Sequence, residues 1–185
     1  FGDGTTVDAY NQSLTRNTPT ALSKARRCLA ATTVGNYALF GGGENNSGAV
    51  TDAVDAYNQS LTRSTPTVLS VARGRLAATT VGNYALFGGG NNTTCATVDA
   101  YDTSLTRSIP TSLSEGKYNL AATTVGNYAL FGGGYINHVD GIVTVDAYDT
   151  SLTKSTAPEL SKKKQGLAAT TVGNYALFGG GAANG

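Results

Sequence analysis

The residues with chemistry to offer in this 185-residue chain recur at fixed offsets. Asp8, Asp55, Asp99 and Asp146 each stand second in the tetrapeptide Val-Asp-Ala-Tyr. Glycoside hydrolysis needs two carboxyl groups in unlike surroundings, one protonated and one ionised. Four aspartates in one repeated context share one environment, so they read as acceptors of hydrogen bonds from Thr, Arg or backbone groups. Two cation positions recur as well: Arg16, Arg63, Arg107 and Lys154, then Arg26, Arg73, Lys117 and Lys164. They read as solvated or paired surface charges, or as a basic rim for acidic glycans. Triple glycines suggest a phosphate cradle, but such a cradle opens a helix, and here loop and strand follow. Cys28 and Cys95 sit at non-equivalent places, which excludes a repeat-wise metal or disulfide framework and leaves a single pairing open. The sequence assigns no catalytic residue, no metal and no cofactor.

The elements that must position these residues follow from one fifteen-residue stretch. Leu-Ala-Ala-Thr-Thr-Val-Gly-Asn-Tyr-Ala-Leu-Phe-Gly-Gly-Gly occupies 29–43 and returns unchanged at 76–90, 120–134 and 167–181. Four identical copies make the fold a repeat. Residues 29–34 are short, β-branched and without a 3.6 period, so they predict a strand. Gly35-Asn36 predicts a tight hairpin turn, and Tyr37-Ala-Leu-Phe40 the returning strand. A loop follows at 44–53, then Val54-Asp-Ala-Tyr57 as a third strand. A turn at 58–60 leads to an outer strand at 61–65, stopped by Pro66. Four antiparallel strands in each period of 44 to 47 residues predict an all-β propeller of four blades.

The loop lengths carry the argument for closure. From each Val of Val-Asp-Ala-Tyr to the next Leu is always 22 residues, so length varies only in the loop after the glycines. That loop has ten, seven and ten residues at 44–53, 91–97 and 135–144. The two termini together supply ten more, from 182–185 and 1–6. A single domain over 1–185 follows, with blades at 29–67, 76–111 and 120–158. A composite blade would join inner strands at 167–181 to outer strands at 5–20, abolishing the exposed edges. A monomeric ring of four is the favoured arrangement; a slice of a longer array and a larger ring of two chains are the alternatives.

Tyr37-Ala-Leu-Phe-Gly-Gly42, Val54-Asp-Ala-Tyr57, Pro66 and Arg73, with their equivalents, resemble the kelch repeat. The resemblance covers the whole chain and implies a propeller with a protein-binding or glycan-associated role. The usual Trp of that repeat is missing, and four repeats are fewer than the five to seven usual in the family. Copper oxidases of related fold need two His and two Tyr plus a Cys, and this chain has one histidine, His138. The composition is similar to that of kelch-like arrays on bacterial and phage surfaces, which implies an extracellular, virion or cell-surface setting. The absence of Met makes Phe1 read as a processed or excised end.

With 14% charged residues and a net charge of +1, the chain offers no electrostatic footprint for nucleic acid. No apolar run reaches membrane-spanning length, which argues against insertion through a helix. The copies differ in the loops after the glycines and in the links at 24–28, 71–75, 115–119 and 162–166, which should emerge on one end. Tyr118, Tyr135, Ile136, His138, Glu44, Asn45, Asn91 and Asn92 are the candidate ligand contacts on that face, Tyr118 and Tyr135 its aromatic anchors. Asn11, Asn45, Asn58, Asn91 and Asn92 also have glycosylation spacing. The expectation is a non-enzymatic binding module for a glycan or a protein. A purely structural spacer or assembly unit is the alternative, ahead of a hydrolase using a unique carboxylate such as Glu115.

Overall fold

A computed structural model describes residues 4–91, 95–136 and 140–182. Among the described residues every regular element is a strand. The chain opens with a short pair, β1 (Ala9–Tyr10) and β2 (Arg16–Asn17). The first complete sheet is a meander of β3 (Ala30–Val34), β4 (Tyr37–Gly41), β5 (Val54–Tyr57) and β6 (Arg63–Ser64). The second repeats it as β7 (Ala77–Val81), β8 (Tyr84–Gly88), β9 (Val98–Tyr101) and β10 (Arg107–Ser108). The third uses β11 (Ala121–Val125) and β12 (Tyr128–Gly132). A side hairpin, β13 (Tyr135–Ile136) with β14 (Asp140–Gly141), precedes its β15 (Val145–Asp149) and β16 (Lys154–Ala157). A final pair, β17 (Ala168–Val172) and β18 (Tyr175–Gly179), ends the chain.

Local chemistry sets these boundaries. Val34 pairs with Tyr37 across a two-residue turn in which Gly35 has φ of +51°, the glycine-first pattern of a II′ hairpin. The outer strand is shorter than the expected 61–65, because Leu61 belongs to the turn and sits at φ +58°. Asn58 holds that turn, its Oδ1 accepting from the backbone N–H of Ser60 at 3.0 Å and Thr62 at 2.9 Å. Proline decides where the outer strand stops. Pro66 lies three residues after Arg63 and leaves two strand residues; Pro158 lies four after Lys154 and leaves four.

Sheets pack face to face, with the inner strands in the order β3, β7, β11, β17. Val34, Leu39 and Leu69 are buried with Phe87 and Tyr101 between the first two sheets. Val81, Leu86 and Leu113 are buried likewise with Phe131 and Tyr148 between the second and third. In the three complete sheets the glycine that closes the second strand receives the phenylalanine of the next sheet. A Cβ on Gly41 would stand 2.7 Å from Phe87 Cε1, and one on Gly88 would stand 2.8 Å from Phe131 Cε1. Between inner strands, hydroxyls pair at 2.8 Å: Thr32 with Thr80, Thr79 with Thr124, Thr123 with Thr171.

The expected joining of 167–181 with 5–20 is not made within the chain. Among the described residues β1 pairs only with β2, and β17 only with β18. Three complete sheets separate these halves in the row of packed sheets. Val172, Tyr175 and Leu177 on one half and Tyr10 and Leu14 on the other are exposed as a result.

Gly88→Ala should lower stability by about 1–3 kcal/mol, the ordinary cost of overpacking a core. Gly4→Ala, whose Cβ would meet nothing within 4 Å, should leave the denaturation midpoint unchanged. Urea titration of the two variants checks this.

Candidate functional site

Three of the four repeated aspartates and the cations of the links that reach them form buried latches, contrary to the expectation of surface charges or a basic rim, while Arg16 stays exposed. Asp55, Asp99 and Asp146 are fully buried in their third strands. The link entering each sheet folds onto its aspartate: Arg26 reaches Asp55 at 2.8 Å, Arg73 reaches Asp99 at 2.7 Å, and Lys117 reaches Asp146 at 2.9 Å. A serine three residues earlier donates its backbone N–H to the same carboxylate, from Ser23 and Ser70 at 3.0 Å and from Ser114 at 2.9 Å. Arg63, Arg107 and Lys154 approach from the outer strand, at 3.5, 3.8 and 3.2 Å. Burial opposes ionisation of Asp146, but the Ser114 hydroxyl and the Lys117 ammonium outweigh it and hold the carboxyl below its ordinary range. Burial pushes the Lys117 ammonium below its ordinary value, against the pull of Asp146. Asp8 departs from the shared environment expected of the four, being exposed and paired only with Arg16 at 3.5 Å among the described residues.

The residues that differ between copies meet elsewhere, at one end of the inner strands. Each link bridges the loop that follows a glycine triplet: Arg27 with Glu44, Gly74 with Asn91, Tyr118 with Tyr135, and Gln165 with Ala182. The next link residue, Cys28, Arg75, Asn119 or Gly166, adopts a left-handed backbone at φ +53° to +61°. These four form a backbone chain, Arg75 N–H to Cys28 O at 2.7 Å, Asn119 to Arg75 at 3.0 Å, and Gly166 to Asn119 at 2.9 Å. With Leu29, Leu76, Leu120 and Leu167 they line an open cavity of about 300 Å³.

Glu44 anchors one side of this mouth. It is buried, and its Oε1 accepts from Arg27 Nε and Arg75 Nη2, both at 3.3 Å, while Asn91 Nδ2 donates to Oε2 at 3.3 Å. Burial would raise its pKa, but the bonds from Arg75 and Asn91 win and hold it below the ordinary glutamate value. Burial and the neighbouring Glu44 push the Cys28 thiol up, which disfavours the thiolate a nucleophile requires. A carboxylate held ionised by two guanidiniums is a poor general acid. Half-exposed Arg75 stands beside the apolar leucine floor, and half-exposed Arg27 shares Glu44 with it.

The candidate residues divide. Glu44 and Asn91 meet at the mouth, Asn91 also accepting from Gly74 N–H at 3.0 Å. Tyr118 and Tyr135 stack edge to face at 5.3 Å. Tyr118 is buried, so its part as an exposed anchor is corrected: it is packing under the rim. Ile136 is half-buried in β13. Asn45 turns inward to its own loop, accepting from the Ser47 and Ala49 N–H groups at 3.0 and 2.9 Å. His138 and Asn92 lie outside the described residues. Glu115 accepts a hydrogen bond from the Thr144 hydroxyl. Arg27, Cys28, Arg75 and Asn119 were not singled out by sequence reasoning, though their place one or two residues before an invariant Leu in variable links was the available signal. Both cysteines are free thiols, Cys95 buried and Cys28 exposed, so the open pairing is not made. Among the described residues no three of His, Cys, Asp and Glu gather to hold a metal ion.

No model of a known protein family matches the chain, and no curated protein matches it significantly.

Asp99→Ala should destabilise by about 3–5 kcal/mol, since it leaves Arg73 buried without its partner charge. Asp8→Ala, at an exposed pair, should cost under about 1 kcal/mol in the dilute monomer; chemical denaturation separates the two. Glu44 has a depressed folded pKa, so its stabilisation is present above the ordinary glutamate value of 4.5 and is lost as pH falls through the folded value. Melting temperature should fall as pH drops below about 4.5, and Glu44→Gln should flatten that slope.

Proposed function

We propose that this chain is a kelch-like β-propeller segment acting as a non-enzymatic binding module, which holds a glycan or a protein at the inner mouth. The observation that carries this reading is the segregation of repeated from non-repeated residues. Invariant Asp, Phe, Gly and Thr are used in latches, sheet packing and inner-strand bonds. Cys28, Arg75, Asn119 and Gly166 differ from copy to copy and converge on one cavity, with Arg27 beside it on Glu44. Meandering four-stranded sheets stacked by their inner strands support the propeller reading. The kelch reading rests on the Gly-Gly and Val-Asp-Ala-Tyr motifs.

Guanidiniums that keep donors beyond Glu44 favour an acceptor-rich ligand, such as a carboxylated sugar or an acidic side chain. Arg75→Gln with Asn119→Ala should weaken capture on immobilised uronic-acid and sialic-acid glycans, or on an acidic surface protein, by about tenfold or more. Melting temperature should fall modestly, because Arg75→Gln removes one of the two guanidiniums on buried Glu44 and Asn119→Ala puts alanine at φ +53°. Capture is therefore read well below the variant's melting point, with circular dichroism confirming the fold. Unchanged capture by the variant, or capture of neutral and acidic glycans alike, would overturn the assignment of the mouth.

A further inference from the structure

We propose that the two ends of the chain are a docking surface for a second copy of the same chain. The β1–β2 pair of one copy completes the sheet begun by β17–β18 of the other. This inference is independent of what the mouth binds.

The internal sheets state the rule of fit. In the first sheet the second and third strands pair Ala38 with Tyr57, Leu39 with Ala56, Phe40 with Asp55 and Gly41 with Val54. The edge of β18 offers the same sequence in the same register, and residues 7–10 carry the same Val-Asp-Ala-Tyr. The pairing carried over is Ala176 with Tyr10, Leu177 with Ala9, Phe178 with Asp8, and Gly179 with Val7.

The surfaces beside this edge are complementary. A cleft of about 310 Å³ lies on the third sheet, lined by Val125, Leu130, Ala147 and the outer strand. The matching face of the second sheet, Val81, Leu86 and Ala100, is covered by Tyr148 with Leu152 packed beside it. Tyr10 and Leu14 are the equivalents of that pair, and they stand 66% and 81% exposed. At the other end a cleft of about 440 Å³ lies between the first sheet and β1–β2, lined by Val7, Ala30, Ala31 and Phe40 among others. The inner hairpin of the neighbouring sheet is what belongs there. Gly41, Gly88 and Gly132 are filled by Phe87, Phe131 and Phe178, whereas a Cβ on Gly179 would meet nothing within 4 Å. Phe40, at the mouth of the larger cleft, is the ring that matches that seat.

Charge agrees with shape. Lys164 holds the latch position of Arg26, Arg73 and Lys117, and Asp8 holds that of their aspartates. Docking brings the Lys164 ammonium of one copy to the Asp8 carboxylate of the next and buries both. Each copy carries both halves, so the contact is heterologous: it closes a ring of copies where the rotation permits and extends a filament where it does not.

Light scattering across a concentration series reads the mass, and cysteine pairing reads the register. In a Cys28→Ser, Cys95→Ala background, chains with Ala9→Cys and chains with Leu177→Cys are mixed and oxidised. The expected result is a mass of two or more 18.8 kDa chains and a disulfide between the two kinds of chain. Asp8→Lys should weaken assembly by about tenfold or more, and adding Lys164→Asp to it should restore assembly. Gly179→Ala, which the lone chain accommodates, should weaken assembly while leaving the fold of the dilute monomer intact. A single-chain mass at every concentration overturns the proposal. So does a disulfide that forms only within a chain carrying both Ala9→Cys and Leu177→Cys and never between the two singly substituted chains, or an assembly indifferent to Asp8→Lys and Gly179→Ala.

Discussion

A sheet that is apolar on both faces has to be covered on both, and the architecture follows from that requirement. In each four-stranded unit the phenylalanine, leucine and tyrosine of the second and third strands point to opposite sides, so one neighbouring sheet satisfies only half of them. The central sheet has two neighbours, and Leu86, Phe87, Val98, Ala100 and Tyr101 are fully buried. The terminal pair has one, and the same strand sequence exposes Tyr175 and Leu177. Identical residues thus reach opposite burial because the terminal pair lacks both a second neighbouring sheet and a third strand beside β18.

Apolar coverage sets that sheets stack; the latches set how the chain passes from one to the next. A buried ion pair contributes little net stability once desolvation is counted, while losing one partner is costly. The Asp–Arg and Asp–Lys pairs therefore act as registers. A link that failed to deliver its cation and its serine N–H to the aspartate would leave a charge buried alone. The link is fixed at both ends, by the latch and by the bridge to the loop after the glycines, and its last residue is forced into a left-handed backbone. That constraint projects Cys28, Arg75 and Asn119 into one mouth. The scaffold uses the repeated residues and leaves the variable ones at the rim.

Much of this was legible in the chain. The strand order within a unit, the II′ hairpin at Gly35-Asn36 and the stop at proline follow from local preferences, which act over two to five residues and leave a direct trace in composition. The start of the outer strand was misread because Leu61 carries no mark of a left-handed conformation; the Asn58 side chain three residues earlier imposes it. The cations at 26, 73 and 117 were misread for a related reason. An arginine in a link is exposed by default, and only the fold brings a carboxylate from some thirty residues downstream to neutralise it.

From the sequence alone came the all-β repeat, its period, its turns, and the separation of invariant from variable positions, since each is a property of neighbouring residues. Tertiary structure alone decided which aspartate is buried, that Tyr118 packs beneath the rim, that Glu44 is gripped by two arginines, and that the terminal halves stay apart within one chain. Those outcomes depend on which surfaces meet across the stack. Four identical stretches of sequence hold no information about which of them will have a neighbour on both sides.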